Sequence, residues 1–147
     1  MLLKLNKQIV KDIIVDDPVR PHINAQWRTD AGREVYGLYT DESFETIRAV
    51  ICVAYTDEVP TNETDMNWAG TDIAVFYTVW SYDKGAGRDI VFAVAKHIQK
   101  TKANVKRWVT LSPLTEMAKT FHLKNGARFL NRYLECQNFE YDLDTHS

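Results

Sequence analysis

Three runs along the chain, REVYGLY (33–39), RAVICVAY (48–55) and DIAVFYTVW (72–80), are rich in β-branched and aromatic residues and end in acidic, Pro, Gly or Asn residues. That pattern predicts strands. The second and third runs are apolar on both alternating faces, which a central strand covered from both sides requires. The polar, turn-rich linkers between them make an antiparallel meander the simplest arrangement. After SYDKGAG the period changes: Ile90, Val91, Val94, Ala95 and Ile98 recur at helical spacing, predicting a helix of about three turns on the sheet.

VKRWVTL (105–111) returns to a strand pattern. Ser112-Pro113 then reads as a helix start, Ser as cap and Pro at the first helical position. That helix runs through LTEMAKTFH and stops at Asn125-Gly126, where a left-handed conformation is tolerated. RFLNRYLE and NFEYDL predict two closing strands. IIVDDPVRPHI reads as an edge strand or extended entry, because Pro18 and Pro21 exclude a regular helix or a central strand.

The 147 residues, 45% of them hydrophobic, are enough for one domain spanning 1–147. A formal charge of -2 gives no global attraction to nucleic acid or anionic lipid, so any anion site is local. No 18-residue apolar span and no leader pattern occurs, and Cys52 lies in an apolar run. A reduced thiol, a cytoplasmic location and no membrane partner are expected. His22, His97 and His146 are far apart and the two cysteines lack ligand spacing, so no metal is expected. Trp27, Trp68, Trp80 and Trp108 are assigned to core or pocket wall, and Ser112 to capping rather than nucleophilic attack.

In YDKGAGR (82–88) two glycines end a strand and open a helix, exposing unpaired N–H groups at the positive end of the helix dipole. Gly85, Ala86 and Gly87 can cradle a pyrophosphate, with Lys84 and Arg88 adding charge. The motif is neither the dinucleotide fingerprint nor a P-loop. A turn that merely lets strand and helix pack explains the glycines equally well.

Strand, KGAG turn, helix, RWVTLSP strand, helix and closing strands resemble, in that order, the GNAT superfamily of acyl-CoA-dependent N-acyltransferases. Tyr82 stands where that family commonly opens its phosphate motif with Gln or Arg. VAYTDEVPTN, AVFYTV, WVTLSPL and FHLKNGA are similar, in order, to motifs of the catalytic domain of malonyl-CoA decarboxylase, itself of GNAT fold. The resemblance implies an α/β (α+β) fold: a mixed, mostly antiparallel central sheet of about six or seven strands with helices on both faces. It also implies a small-molecule acyl-CoA partner, with acetyl-CoA or malonyl-CoA as the coenzyme A thioester substrate. His122 matches the family's histidine and becomes the general acid of a decarboxylation; Thr61 matches the family's serine and becomes the group that orients the carboxylate. Backbone groups at Val79 and Trp80 become oxyanion donors, and Asn125 joins the coenzyme-binding residues. The family's preceding helical domain has no counterpart in these residues, and the segment between TLSP and the histidine is shorter.

Two alternatives stand beside decarboxylation. One is a general GNAT acyltransferase acting on an amine; against it, strand 73–80 offers no Glu, and the residues before 33 read as too short and Pro-broken for the helix pair that usually walls the acceptor site. The other is a CoA-binding module without activity, since Thr61 replaces a serine, His122 near a helix C-terminus is also favoured by the dipole alone, and Thr61 after Pro60 also fits a turn. A homodimer through the last strands is left open.

Overall fold

A computed structural model describes residues 1–143; His146 lies outside the described residues. The strands are β1 (Leu2–Lys4), β2 (Arg33–Tyr39), β3 (Ile47–Thr56), β4 (Ile73–Ser81), β5 (Arg107–Thr110), β6 (Ser112–Pro113), β7 (Arg128–Arg132) and β8 (Cys136–Tyr141). The helices are α1 (Lys7–Ile13), α2 (Ala25–Thr29), α3 (Ala86–Thr101) and α4 (Glu116–Lys124). One sheet has the order β1-β2-β3-β4-β5-β8-β6, with β7 on β8. Every pairing is antiparallel except β4 with β5.

The expected meander is β2-β3-β4, and its two inner strands are buried on both faces, as their unbroken apolar patterns require. One face packs Ile90, Val91, Val94 and Ile98 of α3 against Ile51, Val53, Phe76 and Phe139. The other packs Val10 of α1 and Ala25 of α2 against Val50, Cys52, Val75 and Tyr77. Helices therefore cover both faces. α3 is longer than the periodicity predicted, at 16 residues.

Three sequence expectations are corrected. Residues 13–23 form no edge strand: α1 runs to Ile13, a single 3-10 turn follows at Ile14–Asp16, and the prolines lie in the link to α2. Asn6 and Asn24 cap these two helices, accepting from the N–H groups of Ile9 and Trp27 at 3.0 and 2.8 Å. Two short helices thus form in a segment expected to be too short and Pro-broken for a helix pair. Ser112-Pro113 is the strand β6, paired with Gln137 and Cys136; the Ser112 hydroxyl bonds Thr110, and the real cap of α4 is Thr115, which accepts from Ala118 N–H at 3.1 Å. Trp68 is neither core nor buried wall, being 72% exposed.

Two irregularities shape the centre of the sheet. Cys52 pairs with Thr78 and Val53 with Phe76, so Tyr77 is an extra residue, a bulge in β4. The parallel β4–β5 pairing spans Ile73 to Phe76, and its last bond is Leu111 N–H to the Phe76 carbonyl at 3.1 Å. Beyond Phe76, β4 keeps β3 on one side, while β6 pairs with β8. Among the described residues no strand pairs with the other edge of β4 from Tyr77 onward, so the sheet opens there.

Candidate functional site

The turn after β4 has the anticipated form. Gly85 is left-handed at φ 82° and precedes the first helical residue; a Cβ added there meets no atom within 4 Å. Ala86 N–H reaches the Asp83 carbonyl at 3.1 Å, whereas Gly87 and Arg88 are first-turn positions with no intrahelical acceptor. Gly87 has a second reason to be glycine: a Cβ there stands 3.3 Å from Phe121 Cε1 of α4. Lys84 and Arg88 are exposed. Asp83 and Asp89, which would oppose an anion, are both bonded to Arg48, at 3.0 and 3.4 Å.

Tyr82 is exposed, and its hydroxyl donates to Asp16 Oδ2 at 2.7 Å while accepting from Trp80 Nε1 at 2.9 Å. Trp80 is buried and Val79 half-buried against the α3 face.

His122 is the one buried residue of α4. Met117 and Leu123 of the same helix are 84% and 41% exposed, so the fold hides an imidazole while leaving larger apolar side chains in water. Its Nδ1 lies 2.8 Å from the Tyr141 hydroxyl of β8, and its ring stacks on Phe139 at 5.4 Å. Burial lowers its pKa to about 4, so the imidazole is neutral at pH 7; burial also raises the Tyr141 phenol, which keeps its proton. Asn125, the residue that ends α4, is buried beside that phenol with Nδ2 unpartnered, and its Oδ1 accepts from Arg88 Nη1 at 3.4 Å. Arg88 at the start of α3 thus bonds Asn125, and Asn125 stands beside the phenol that holds His122.

Thr61 lies elsewhere. Its hydroxyl donates to Asp65 Oδ2 at 2.7 Å, and its N–H bonds the same oxygen at 2.9 Å, an ordinary turn closure. The neighbouring Pro60 carbonyl accepts from Asn138 Nδ2 at 3.1 Å. Asn138 and Phe139 are successive residues of β8, whose side chains point to opposite faces. The Thr61 loop and His122 thus approach β8 from opposite sides, and no hydrogen bond joins them among the described residues.

The bulge face carries groups that sequence reading missed. Arg20, 2% exposed, donates through Nε to Glu63 Oε2 at 3.1 Å and through Nη1 to the Tyr77 carbonyl. Glu63 Oε1 in turn holds His22 Nε2 at 2.8 Å. Beneath them Arg28 and Asp17, both fully buried, pair at 2.8 Å; Asp17 Oδ1 also accepts from Thr78 Oγ1 at 3.0 Å. Apart from Arg28 and Asp17, 11 residues apart, these partners are 41 to 61 residues apart in the chain, so no local motif announces them. The asparagine caps of α1 and α2 were the available signal. Among the described residues no cluster of His, Cys, Asp or Glu could hold a metal ion, and no helix is long and apolar enough to cross a membrane.

Together, the open sheet, the glycine turn and the helices on both faces define a GNAT-like fold. Solved structures agree. Malonyl-CoA decarboxylase from Rhodopseudomonas palustris superposes with a TM-score of 0.73 at 18% identity over 97% of this chain and 60% of that one. The enzyme from Agrobacterium vitis gives 0.67 at 19% identity over 82% and 35%, and NAA60 of Arabidopsis thaliana, in complex with acetyl-CoA, gives 0.67 at 10% identity over 98% of both. The chain thus spans between about a third and three fifths of those decarboxylases. No family model and no curated protein matches the sequence.

Proposed function

We propose that the protein is an acyl-CoA-using enzyme whose coenzyme pyrophosphate rests on the N–H groups at Gly85 to Arg88, and whose thioester enters the opening beside β4. The reaction this reading favours is decarboxylation of a malonyl-type thioester. The observation that carries it is the burial of His122, held by Tyr141.

The fit to a coenzyme A pyrophosphate rests on the open space at Gly85 and the unspent first-turn donors. Val79 and Trp80, on the length of β4 that pairs with β3 alone, are the proposed backbone donors to the thioester oxygen. Loss of CO₂ breaks the bond between the carboxylate and the α carbon and leaves its electron pair as a thioester enolate, which takes a proton at carbon. With the Tyr141 O–H donating to Nδ1, His122 presents Nε2–H as that donor; an enolate is basic enough to take a proton from a neutral imidazole, and the imidazolate regains its proton from solvent. Thr61, bonded to Asp65 and across β8 from His122, takes no part in this step.

The test is to incubate the protein with malonyl-CoA and follow acetyl-CoA by mass spectrometry. Acetyl-CoA forming in the wild type and falling by about 10²- to 10⁴-fold in His122→Ala supports the reading; an unchanged rate in that variant refutes it. Thermal stabilisation by CoA without turnover identifies the non-catalytic binding module instead. Acyl transfer to an amine is the second reading, and what favours it is the presence of α1 and α2, with a pocket between their link, α2 and the β3–β4 loop.

A further inference from the structure

From Tyr77 onward the opening of the sheet has β4 as one wall and β6, seated on β8, as the other. A side chain crosses its exit toward α1 and α2. Arg20, in the link between those helices, donates through Nη1 to the Tyr77 carbonyl of β4, and its Nη2 lies 4.0 Å from Cys136 Sγ of β8. A guanidinium with one nitrogen against each strand stands across the gap between them. The next tie along β4 comes from the same link, where Asp17 Oδ1 accepts from Thr78 Oγ1 at 3.0 Å. Tyr77, Thr78 and Cys136 are all buried, so this face of the opening is covered.

The cover is held in place. Arg20 N–H donates to Asp17 Oδ1 at 2.9 Å, and its carbonyl accepts from Arg28 Nη2 at 2.6 Å. Its Nε donates to Glu63 Oε2 at 3.1 Å, which joins the link to the β3–β4 loop. That loop reaches β8 in turn, since the Pro60 carbonyl accepts from Asn138 Nδ2. Backbone and side chain of Arg20 are each fixed from two sides, and a buried network satisfied in this way is rigid.

We infer that Arg20 is the stop that sets the length of the acyl chain: the opening takes the thioester of a short acid and turns away a longer alkyl chain. The inference rests on the coenzyme A reading, in which the thioester lies beside β4. A short acyl group ends before the guanidinium. A longer one has to push Arg20 off the Tyr77 carbonyl, which leaves a buried acceptor unbonded and sets methylenes against a charge. An open apolar passage acts in the opposite sense, because each methylene it buries raises affinity about fourfold. The two cases therefore differ in sign.

The experiment measures, by calorimetry on the full chain, the Kd of CoA, acetyl-CoA, butyryl-CoA and hexanoyl-CoA for the wild type and for Arg20→Ala. The wild type should bind CoA and acetyl-CoA alike and weaken by about 10-fold or more on going to hexanoyl-CoA. In Arg20→Ala the trend should reverse, hexanoyl-CoA binding at least as tightly as acetyl-CoA, with the Kd of CoA itself unchanged. Arg20→Gln, shorter and uncharged but still a donor, should show the same reversal to a smaller degree and serves where the alanine variant does not fold. Wild-type affinity that stays level or rises with chain length overturns the inference, and so does a folded variant whose profile parallels the wild type. In both of those cases CoA is still bound and the thioester reading stands; failure of the wild type to bind CoA at all removes both.

Discussion

The imidazole of His122 gives a stability signature that can be measured without knowing the substrate. Burial lowers its pKa to about 4 from the ordinary 6.5. Between those values the unfolded chain holds a proton that the folded chain does not, so folding stability rises with pH across that window and is lost as pH falls from about 6.5 toward 4. The gap, 6.5 minus about 4 or roughly 2.5 pH units, at about 1.4 kcal/mol per unit, sets a ceiling of about 3 kcal/mol. From pH 7 to pH 5 the same relation gives a loss of about 2 kcal/mol, a large part of a net stability of roughly 5–15 kcal/mol.

The perturbation is His122→Gln, which keeps a polar side chain and cannot titrate. Urea denaturation at pH 7, 6 and 5 gives the stability of each protein. Wild type should lose about 2 kcal/mol more than the variant over this range, so the variant, although less stable at pH 7, approaches or overtakes the wild type by pH 5. The carboxylates held low by their partners, Asp17 by backbone N–H groups and Arg28, Glu34 by Tyr55 and Lys4, and Glu140 by Arg107, keep their contributions above their unfolded values near 4 and lose them at lower pH. They fall outside the window and cancel in the difference. Parallel curves for the two proteins would refute the claim that the imidazole is buried and neutral.

Tyr141→Phe removes the hydroxyl that holds Nδ1 and should lower acetyl-CoA formation from malonyl-CoA by about 10-fold or more while costing roughly 1 kcal/mol in urea melts; a stability loss with unchanged turnover would make the phenol structural only. Arg28→Met leaves Asp17 fully buried without its counter-ion and should cost about 3–5 kcal/mol, recovered in large part by adding Asp17→Asn. Gly85→Ala forces a Cβ onto φ 82° for about 1–2 kcal/mol, a drop of a few degrees in Tm. Gly87→Ala gains about 1 kcal/mol of helix propensity but displaces Phe121, whose ring lies 5.1 Å from that of His122. Its melting temperature should hold within a few degrees while turnover falls.

What could be read from the sequence follows from how local each signal is. β3 and β4 carry long apolar runs because both faces are covered, and α3 carries a helical period because one face is; neither needs information from elsewhere in the chain. Ser112 misled for the opposite reason. Its residue type fits a cap, but β8 offers it a partner at Gln137, and the tertiary pairing prevails over the local preference. α1 and α2 have seven and five residues, too short for periodicity to emerge, and two prolines obscured a link that only separates them. The glycine turn and the word FHLKNGA make Gly85 and His122 candidates from local sequence, whereas the Arg20–Glu63–His22 group exists only through contacts across more than forty residues.

The opening in the sheet ties these observations together physically. A parallel pair that continued past Phe76 would satisfy every backbone group along β4 and leave no passage between the faces. The bulge at Tyr77 shifts the register with β3, and the diversion of Ser112 and Pro113 to β8 takes the other neighbour away. A backbone carbonyl left at such an edge is costly unless bonded, and here the Tyr77 carbonyl is met by Arg20, whose own charge is held by Glu63. Arg20→Met should therefore both destabilise the protein and loosen the Glu63–His22 pair. Urea denaturation should record a loss of about 1–3 kcal/mol for the carbonyl left unbonded; an unchanged stability would refute that role for Arg20.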